Sequence, residues 1–272
     1  MVKKLIKHEF IYYLRTLAIF LPSLIVMAIF TAIVQLFKNE SVWFLIIQVG
    51  AYSLLGIASI ACALLTTILG VVRFYKNMYS SEGYLTFTLP ISNSQHIFAK
   101  LLAYITCEIA SLLVLIIAWI IALSPHLSFL SDVLPVIMQG IKELFNLINT
   151  FDIILFLIEG FIILCVSAIS TPLLYYACIS IGQLAKKNRI LLAIGAYYIY
   201  TLIVQALSTI GSAFITLLGT MGAFENLGAF ISAHPSLSIH GVMWILIIFT
   251  AAVSFVFYLI TLKIMTKKLN LE

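Results

Sequence analysis

The sequence predicts an all-α membrane protein with six transmembrane helices, and composition is the first reason. Of the 272 residues, 63% are hydrophobic and only 9% are charged, whereas about a quarter of the residues in a soluble domain carry charge. The mean hydropathy is +1.18. The apolar residues also fall in long uncharged runs, which is typical of membrane spans joined by short loops. The composition therefore excludes a soluble enzyme.

Each span is predicted from a run of residues with few or no charges. A hydrocarbon core of about 30 Å needs about 20 helical residues. Single carboxylates interrupt the third and fourth runs, at Glu108 and Glu159, and the Ser124-Pro125 pair ends the third run. The predicted spans cover residues 17–37, 43–72, 101–123, 153–183, 190–218 and 241–263. Together they are expected to form one transmembrane domain over residues 1–272.

The basic residues predict the orientation, because Lys and Arg near the ends of spans stay on the cytoplasmic side. All but two of the 15 Lys and Arg residues, Lys38 and Lys142, then lie on one side. Both termini are therefore expected in the cytoplasm, and the cell membrane is the expected location. On this interpretation the net charge of +5 reflects topology, and no nucleic-acid partner is expected.

Three segments outside the spans have patterns of their own. Apolar residues from Val2 to Leu17 share one helical face opposite several lysines, which predicts an N-terminal amphipathic helix at the membrane interface. Residues 134–148 predict a second surface helix by the same spacing. Gly219–Gly241 is too apolar for a loop and too broken for a span. A re-entrant or broken segment is therefore expected before the last span.

Glu108 and Glu159 are candidates for a translocation path or a proton relay. An ionisable group inside the hydrocarbon is unfavourable by several kcal/mol unless it is paired or hydrated. The alternative is that each carboxylate is hydrogen-bonded to a neighbouring helix or reaches an interface. The sequence leaves both interpretations open.

A stripe of small residues in the second span predicts close helix packing, because small side chains let helices approach in lipid. The contact is either within the chain or with another subunit. The stripe consists of Gly56, Ser59, Ala63, Thr67 and Gly70.

No catalytic residue and no metal site is predicted. The histidines His234 and His240 could meet at a metal, but a hydrogen-bonding interfacial pair is the commoner arrangement for such residues. The chain contains neither HExxH nor Gly-x-Ser-x-Gly. Its cysteines lack CxxC spacing, so packed thiols without a disulfide or zinc are expected. They are Cys62, Cys107, Cys165 and Cys178.

The stretch 73–100, after the second span, is too aromatic and too structured for a plain connector. Ser80 or Ser81 can cap a short helix there, and Gly83 can break the chain. An interfacial belt of aromatic residues is one interpretation. The other is a docking surface for another protein.

Two short motifs in this stretch carry a family resemblance. They are R-F-Y-K-N at Arg73–Asn77 and E-G-Y-L-T-F-T-L-P at Glu82–Pro90, and Lys100 opens the next span. The pattern resembles the first cytoplasmic loop of the permease subunits of type-2 ATP-binding-cassette (ABC) exporters, including bacterial peptide and antimicrobial-type transporters. The six-span layout is similar as well.

In that family this loop carries a coupling helix, which rests in a groove of a separate ATPase subunit. The resemblance therefore implies partners: two ATPase subunits, a second permease chain of the same or a similar kind, and the lipid bilayer. ATP and Mg would be bound by the ATPase, and no cofactor by this chain, which lacks a GxxxxGK[ST] phosphate loop. The implied coupling residues are Arg73, Tyr75, Lys76, Asn77, Glu82, Gly83, Tyr84, Leu85, Thr86, Leu89 and Pro90.

The function that this resemblance implies is export driven by ATP hydrolysis in the partner chain, with an amphipathic or antimicrobial peptide as the first substrate class to consider. The chain itself would not be an enzyme. Two alternatives remain. One is an ion-coupled secondary transporter that uses Glu108 or Glu159, and the other is a non-transporting immunity protein that holds a toxin through the 134–148 helix.

Overall fold

The structure confirms the predicted fold class. The computed structural model describes residues 2–37, 41–80, 82–88, 90–126, 133–140, 142–143, 149–185, 187–222 and 225–267. These residues are almost entirely helical and include no strand. Six of the helices are long and apolar enough to cross a membrane.

The helices are numbered in chain order. The short ones are α3, α5 and α8, and the six candidate spans are the others. The bounds are α1 Val2–Leu36, α2 Val42–Tyr79, α3 Glu82–Phe87, α4 Asn93–Leu123, α5 133–140, α6 Thr150–Gly182, α7 Arg189–Thr220, α8 Glu225–Ala233 and α9 Pro235–Lys267.

Local sequence explains several helix ends. A single 3-10 turn, Ser124–His126, follows α4, as expected where a proline removes a backbone donor. Asn188, immediately before α7, has a φ of 60°, in the left-handed region that asparagine tolerates better than most residues. Proline occupies the first position of α9, at Pro235, where its missing N–H has no helical partner to lose.

Several helices are longer than the predicted spans, including α4, which begins at Asn93, and α9, which covers Pro235–Lys267. Helices α1 and α2 show the reason. The amphipathic N-terminal segment and the first span form one continuous helix, α1, which also passes through Pro22. Helix α2 extends seven residues beyond the predicted end at residue 72, to Tyr79. In both cases nothing in the sequence stops the helix at the point where charged residues begin, because Lys, Arg and Glu are good helix formers.

The two other surface segments are partly described. The predicted helix over residues 134–148 is helical at 133–140, and residues 144–148 lie outside the described residues, as does Lys38. The segment Gly219–Gly241 contains α8 and the first turns of α9. Its re-entrant placement in the membrane stays a prediction.

The chain divides into two compact units. Unit 1 comprises Met1–Met78 and Tyr84–Leu144, and unit 2 comprises Tyr79–Gly83 and Phe145–Glu272. The expected single permease domain stays a prediction.

In unit 1, α1 and α4 pack together along two hydrophobic clusters, to which α2 contributes. One cluster contains Tyr13, Leu17 and Tyr104. The other contains Ala28 and Leu55 with small residues of α4. Small side chains at these contacts allow the close helix approach that stabilises association in lipid.

In unit 2, α6 packs against both α7 and α9. Gly182 ends α6 where the backbone of Arg189 and the side chain of Ala193 lie close to it. Further along, the rings of Tyr200 on α7 and Phe257 on α9 meet edge to face with centroids 5.3 Å apart. The Tyr79 hydroxyl, also in unit 2, lies 2.7 Å from Ser180 Oγ.

Candidate functional site

The residues predicted to couple to an ATPase fall on the end of α2, on α3 and on the link to α4. The predicted loop 73–100 is thus mostly helical. Leu89 lies outside the described residues, and Pro90 lies on the link. Helix α2 contains Arg73, Tyr75, Lys76 and Asn77, and α3 contains Glu82, Gly83, Tyr84, Leu85 and Thr86.

Helix α3 presents an apolar surface outside the candidate spans. Tyr84 is 56% exposed and Leu85 is 75% exposed. We call these two residues the α3 tip. Large apolar side chains exposed together on a short helix are typical of a surface that another molecule covers.

The chain break considered at Gly83 does not occur. Gly83 lies in the first turn of α3 and is buried, and its N–H donates to the Ser80 carbonyl at 2.8 Å. A single glycine costs a helix only about 1 kcal/mol, so flanking contacts can keep it helical. Ser81, one of the two expected caps, lies outside the described residues.

Helix α3 contacts the start of α4 through a ring pair. Phe87 lies edge-on to His96 with ring centroids 6.2 Å apart, and His96 is fully buried. A capping box fixes where α4 begins: Ser92 Oγ accepts from the Gln95 N–H, and the Gln95 side chain accepts from the Ser92 N–H. The end of α3 therefore packs against a well-defined helix start.

A buried ionic cluster joins the three long helices of unit 1 close to this point. Glu9 on α1 is 1% exposed. Its Oε1 accepts from Lys100 Nζ at 2.7 Å and from Asn77 Nδ2 at 2.9 Å, and its Oε2 accepts from Arg73 Nε at 2.9 Å. The Arg73 guanidinium also lies 4.1 Å from the centroid of the Tyr12 ring.

This cluster was missed by the sequence analysis, although one signal was present. Glu9 precedes Tyr13 by one helical turn and Leu17 by two, so it lies on the face that the sequence analysis treated as apolar. An acidic residue on an apolar helical face predicts a buried partner. Its partners Arg73 and Lys100 are 64 and 91 residues away, and sequence spacing does not reveal such pairings.

A second buried carboxylate, Glu159 on α6, lies in unit 2 and is 0% exposed. Its Oε2 is 2.8 Å from Nδ1 of His240 on α9. On the other side of the imidazole, Nε2 lies 3.8 Å from Oδ1 of Asp152. Phe156 stacks on the same imidazole, with centroids 4.1 Å apart and planes 19° apart.

The alternative that the sequence analysis left open for Glu159, a hydrogen bond to a neighbouring helix, describes this contact. His240 therefore pairs with a carboxylate, while His234 lies against Phe230 with ring centroids 5.3 Å apart. Among the described residues, no group of three or more histidine, cysteine or acidic side chains is arranged to hold a metal.

Glu108, the other candidate carboxylate, is half-buried on α4, one turn after Tyr104. It is not part of the Glu9 cluster, although both lie in unit 1. Its role in a translocation path stays a prediction.

Two positions of the small-residue stripe of α2 pack within the chain. The ring of Tyr104 on α4 lies directly against Gly70, and Ser59 Oγ accepts from Trp119 Nε1 at 3.2 Å. Thr67 is half-buried, and its hydroxyl bonds to the carbonyl of Ala63. Gly56 has open space where a Cβ would be. The stripe thus contributes to packing within unit 1 at Ser59 and Gly70, and a subunit contact at the other positions stays a prediction.

The cysteines are free thiols, of which Cys165 is exposed and the other three are buried. Small packed thiols were expected at all four positions, so the side chain of Cys165 is the exception.

The six long apolar helices define the chain as a multi-pass membrane protein. Comparison with protein-family models, with curated proteins and with solved structures finds no match to this chain. The resemblance to ABC permeases stays a prediction.

Proposed function

We propose that this chain is the transmembrane permease subunit of an ATP-driven ABC exporter, which couples ATP hydrolysis in a separate ATPase to movement of a substrate across the cell membrane. The observation that carries the proposal is the α3 tip. Its Tyr84 and Leu85 side chains are exposed between two candidate spans. A partner of the ATPase type would cover them.

The contacts around α3 support a mechanical role for it. A docking helix transmits force only if its base is rigidly attached to the spans. Phe87 packs on the buried His96 at the start of α4, and the end of α2 is attached to α1 and α4 through Glu9. A push on α3 would therefore act on packed helices of unit 1 rather than on a flexible loop.

The proposed assembly includes a second permease chain, and α7 is the candidate contact. None of its residues is buried within the chain. Polar side chains recur along it at intervals of three or four residues and so share one helical face: Thr201, Gln205, Ser208, Ser212 and Thr216. Polar and small residues on one face of a span favour association with another helix in lipid.

The proposed orientation follows from the distribution of charge, and the proposed substrate class and ATP binding follow from the family resemblance. Both termini would be cytoplasmic, because this orientation keeps all but two of the 15 Lys and Arg residues on the cytoplasmic side. An amphipathic or antimicrobial peptide is the proposed substrate class. ATP and Mg would be bound by the partner, and this chain would have no catalytic role.

The first test is a pull-down of the tagged chain in mild detergent, followed by mass spectrometry. An ATPase with a phosphate-binding loop, recovered in about one copy per permease chain, is the expected result. The Leu85→Ala variant should lose most of this ATPase. Leu134→Ala is the matched control, because Leu134 is an exposed leucine between two other spans.

The transport measurement uses liposomes that contain the purified complex. We expect peptide movement that needs ATP and resists a protonophore, and that is lost together with ATPase binding in Leu85→Ala. Recovery of the chain alone, with transport that does not depend on ATP, would overturn the proposal. Equal ATPase recovery in both leucine variants would show that the α3 tip does not bind the ATPase.

A further inference from the structure

The cluster Asp152, His240 and Glu159 contains two carboxylates for one imidazole. Glu159 is completely buried and His240 is 8% exposed. With a neutral imidazole and two ionised carboxylates, the cluster would carry two negative charges next to apolar helix surfaces. Ionised carboxylates in such surroundings are strongly disfavoured unless a positive charge or a proton compensates them.

Two polar atoms of the cluster have no hydrogen-bond partner among the described residues. They are Glu159 Oε1 and His240 Nε2. Buried polar atoms are usually satisfied, so these two atoms need an explanation. Nε2 faces Asp152 Oδ1 at 3.8 Å, and a shift of about 1 Å or one bridging water would make this a hydrogen-bonded contact.

We propose that this cluster is a proton-binding site, in which the Glu159–His240 pair holds two protons when loaded and one when released, and Asp152 passes the exchanged proton to water. In the loaded state, the Glu159 carboxyl donates to His240 Nδ1, and the Nε2–H faces the Asp152 carboxylate. On release, the Nε2 proton passes to Asp152 and then to water. The Nε2 electron pair stays on the ring, and the Glu159 proton moves to Nδ1. The imidazole is neutral before and after, and only its tautomer changes.

The helix geometry suits a relay of this kind. Asp152, Phe156 and Glu159 share one face of α6 at a spacing of four and three residues. Asp152 lies in the first turn of α6, and its side chain is 19% exposed. Glu159 is seven residues further, about 10 Å along the helix axis. The stacked Phe156 ring fixes the plane of the imidazole between the two carboxylates.

No other charged side chain is described near this cluster. Helix α7 carries no acidic residue, lysine, arginine or histidine from Ile190 to Thr220. His234, ahead of α9, contacts Phe230, and the side chain of Glu225 on α8 lies outside the described part of the chain. Lys263 and Lys267 are at the opposite end of α9. The proton balance therefore depends on the three residues of the cluster.

The deciding experiment uses the full-length wild-type protein in lipid nanodiscs, with isotope-labelled histidine and glutamate. Nuclear magnetic resonance reports the tautomer of His240, and infrared spectroscopy reports the protonated carboxyl of Glu159, between about pH 4 and pH 10. The expected result is a single step in which the carboxyl band disappears while His240 changes tautomer. A constant tautomer without any carboxyl band over this range would overturn the proposal.

Two variants show which residues give rise to the carboxyl band and the tautomer change. Glu159→Gln should remove both the carboxyl band and the tautomer change, whereas His234→Gln, which alters a histidine outside the cluster, should keep both. A His240 tautomer change that persists in Glu159→Gln would overturn the assignment of Glu159 as its proton partner. If Glu159→Gln does not fold, the wild-type spectra alone still test the proposal.

The role of Asp152 has a kinetic test. After a pH jump, Asp152→Asn should lose the carboxyl band at least about tenfold more slowly than the wild type, because a positioned acid or base group speeds proton transfer. The size of the band before the jump should not change. An unaltered rate would exclude Asp152 as the exchange group. The whole test needs no ATPase and no transport, so it can fail or succeed independently of the proposed exporter function.

Discussion

Glu9 and Glu159 are buried carboxylates on apolar helices, one in each unit, but their surroundings differ. Glu9 is bonded to Lys100, Arg73 and Asn77. Glu159 has His240 alone as a bonded partner among the described residues. The first carboxylate therefore faces two permanent cations, whereas the second faces an imidazole and no permanent cation.

This difference separates two uses of a buried charge. The two cations around Glu9 keep it ionised, so the cluster acts as a fixed connection between α1, α2 and α4. The single imidazole next to Glu159 leaves the protonation of that carboxylate open to change. Counting permanent countercharges thus distinguishes a structural carboxylate from a candidate proton-binding one.

The largest predicted effect on stability is that of substituting Glu9. Glu9→Ala removes the buried carboxylate that accepts from Lys100 and Arg73, which should lower the free energy of unfolding by about 3–5 kcal/mol. Steric-trap unfolding in bicelles measures this change. Glu143→Ala, which removes an exposed carboxylate, is the control. A similar loss in both variants would contradict a structural role for Glu9.

The next largest effect on stability is predicted for Gly182, which is closely packed in unit 2. A Cβ at Gly182 would lie 2.6 Å from the Arg189 carbonyl oxygen and 2.7 Å from Ala193 Cβ. Because a backbone atom cannot move aside, Gly182→Ala should destabilise the protein by about 1–3 kcal/mol. Thermal unfolding in detergent, read from the fraction that remains soluble, tests this, and an unchanged midpoint would contradict it.

The corresponding glycine of unit 1 should be about as sensitive. A Cβ at Gly70 would meet the ring of Tyr104, which is 1% exposed and packed in a hydrophobic cluster, so Gly70→Ala should destabilise the protein by about 1–3 kcal/mol. Gly56→Ala is the matched control on the same helix, with no atom within 4 Å of the new Cβ. It should be neutral or slightly stabilising. The same unfolding assay ranks the variants, and a larger loss for Gly56→Ala would disprove the packing argument.

A smaller loss of stability is expected when Glu159 is substituted. Glu159→Gln keeps the size of the side chain and allows a hydrogen bond to His240, so it leaves no uncompensated charge. Because one hydrogen bond replaces another, the expected loss is at most about 1 kcal/mol, the net value of a single hydrogen bond. The steric-trap measurement used for Glu9 applies here. A loss as large as that of Glu9→Ala would mean that Glu159 is a structural ion-pair partner.

The smallest stability effect is predicted for the α3 tip. Leu85 is 75% exposed, so Leu85→Ala should change the free energy of unfolding by less than about 0.5 kcal/mol. The same variant should lose the ATPase in the pull-down. A substantial loss of stability would show that Leu85 packs against its own chain.

The sequence by itself determined the fold class and the number of spans. Both follow from the length and apolarity of local segments, since a bilayer of fixed thickness accepts only helices of sufficient length whose backbone groups bond internally. The end of α4 was also predicted from local sequence, because Pro125 interrupts an ordinary helix. The ends of α1 and α2 were not, because charged residues mark a membrane boundary without stopping a helix.

Only the tertiary structure decided which polar residues meet. Glu9 and Lys100 are 91 residues apart in the chain, and Glu159 and His240 are 81 apart. Apolar spans pack through many interchangeable contacts, so their sequences do not specify which helix faces which. The partner of a buried charge depends on which helices face each other. That partner distinguishes the structural connection at Glu9 from the proposed proton site at Glu159.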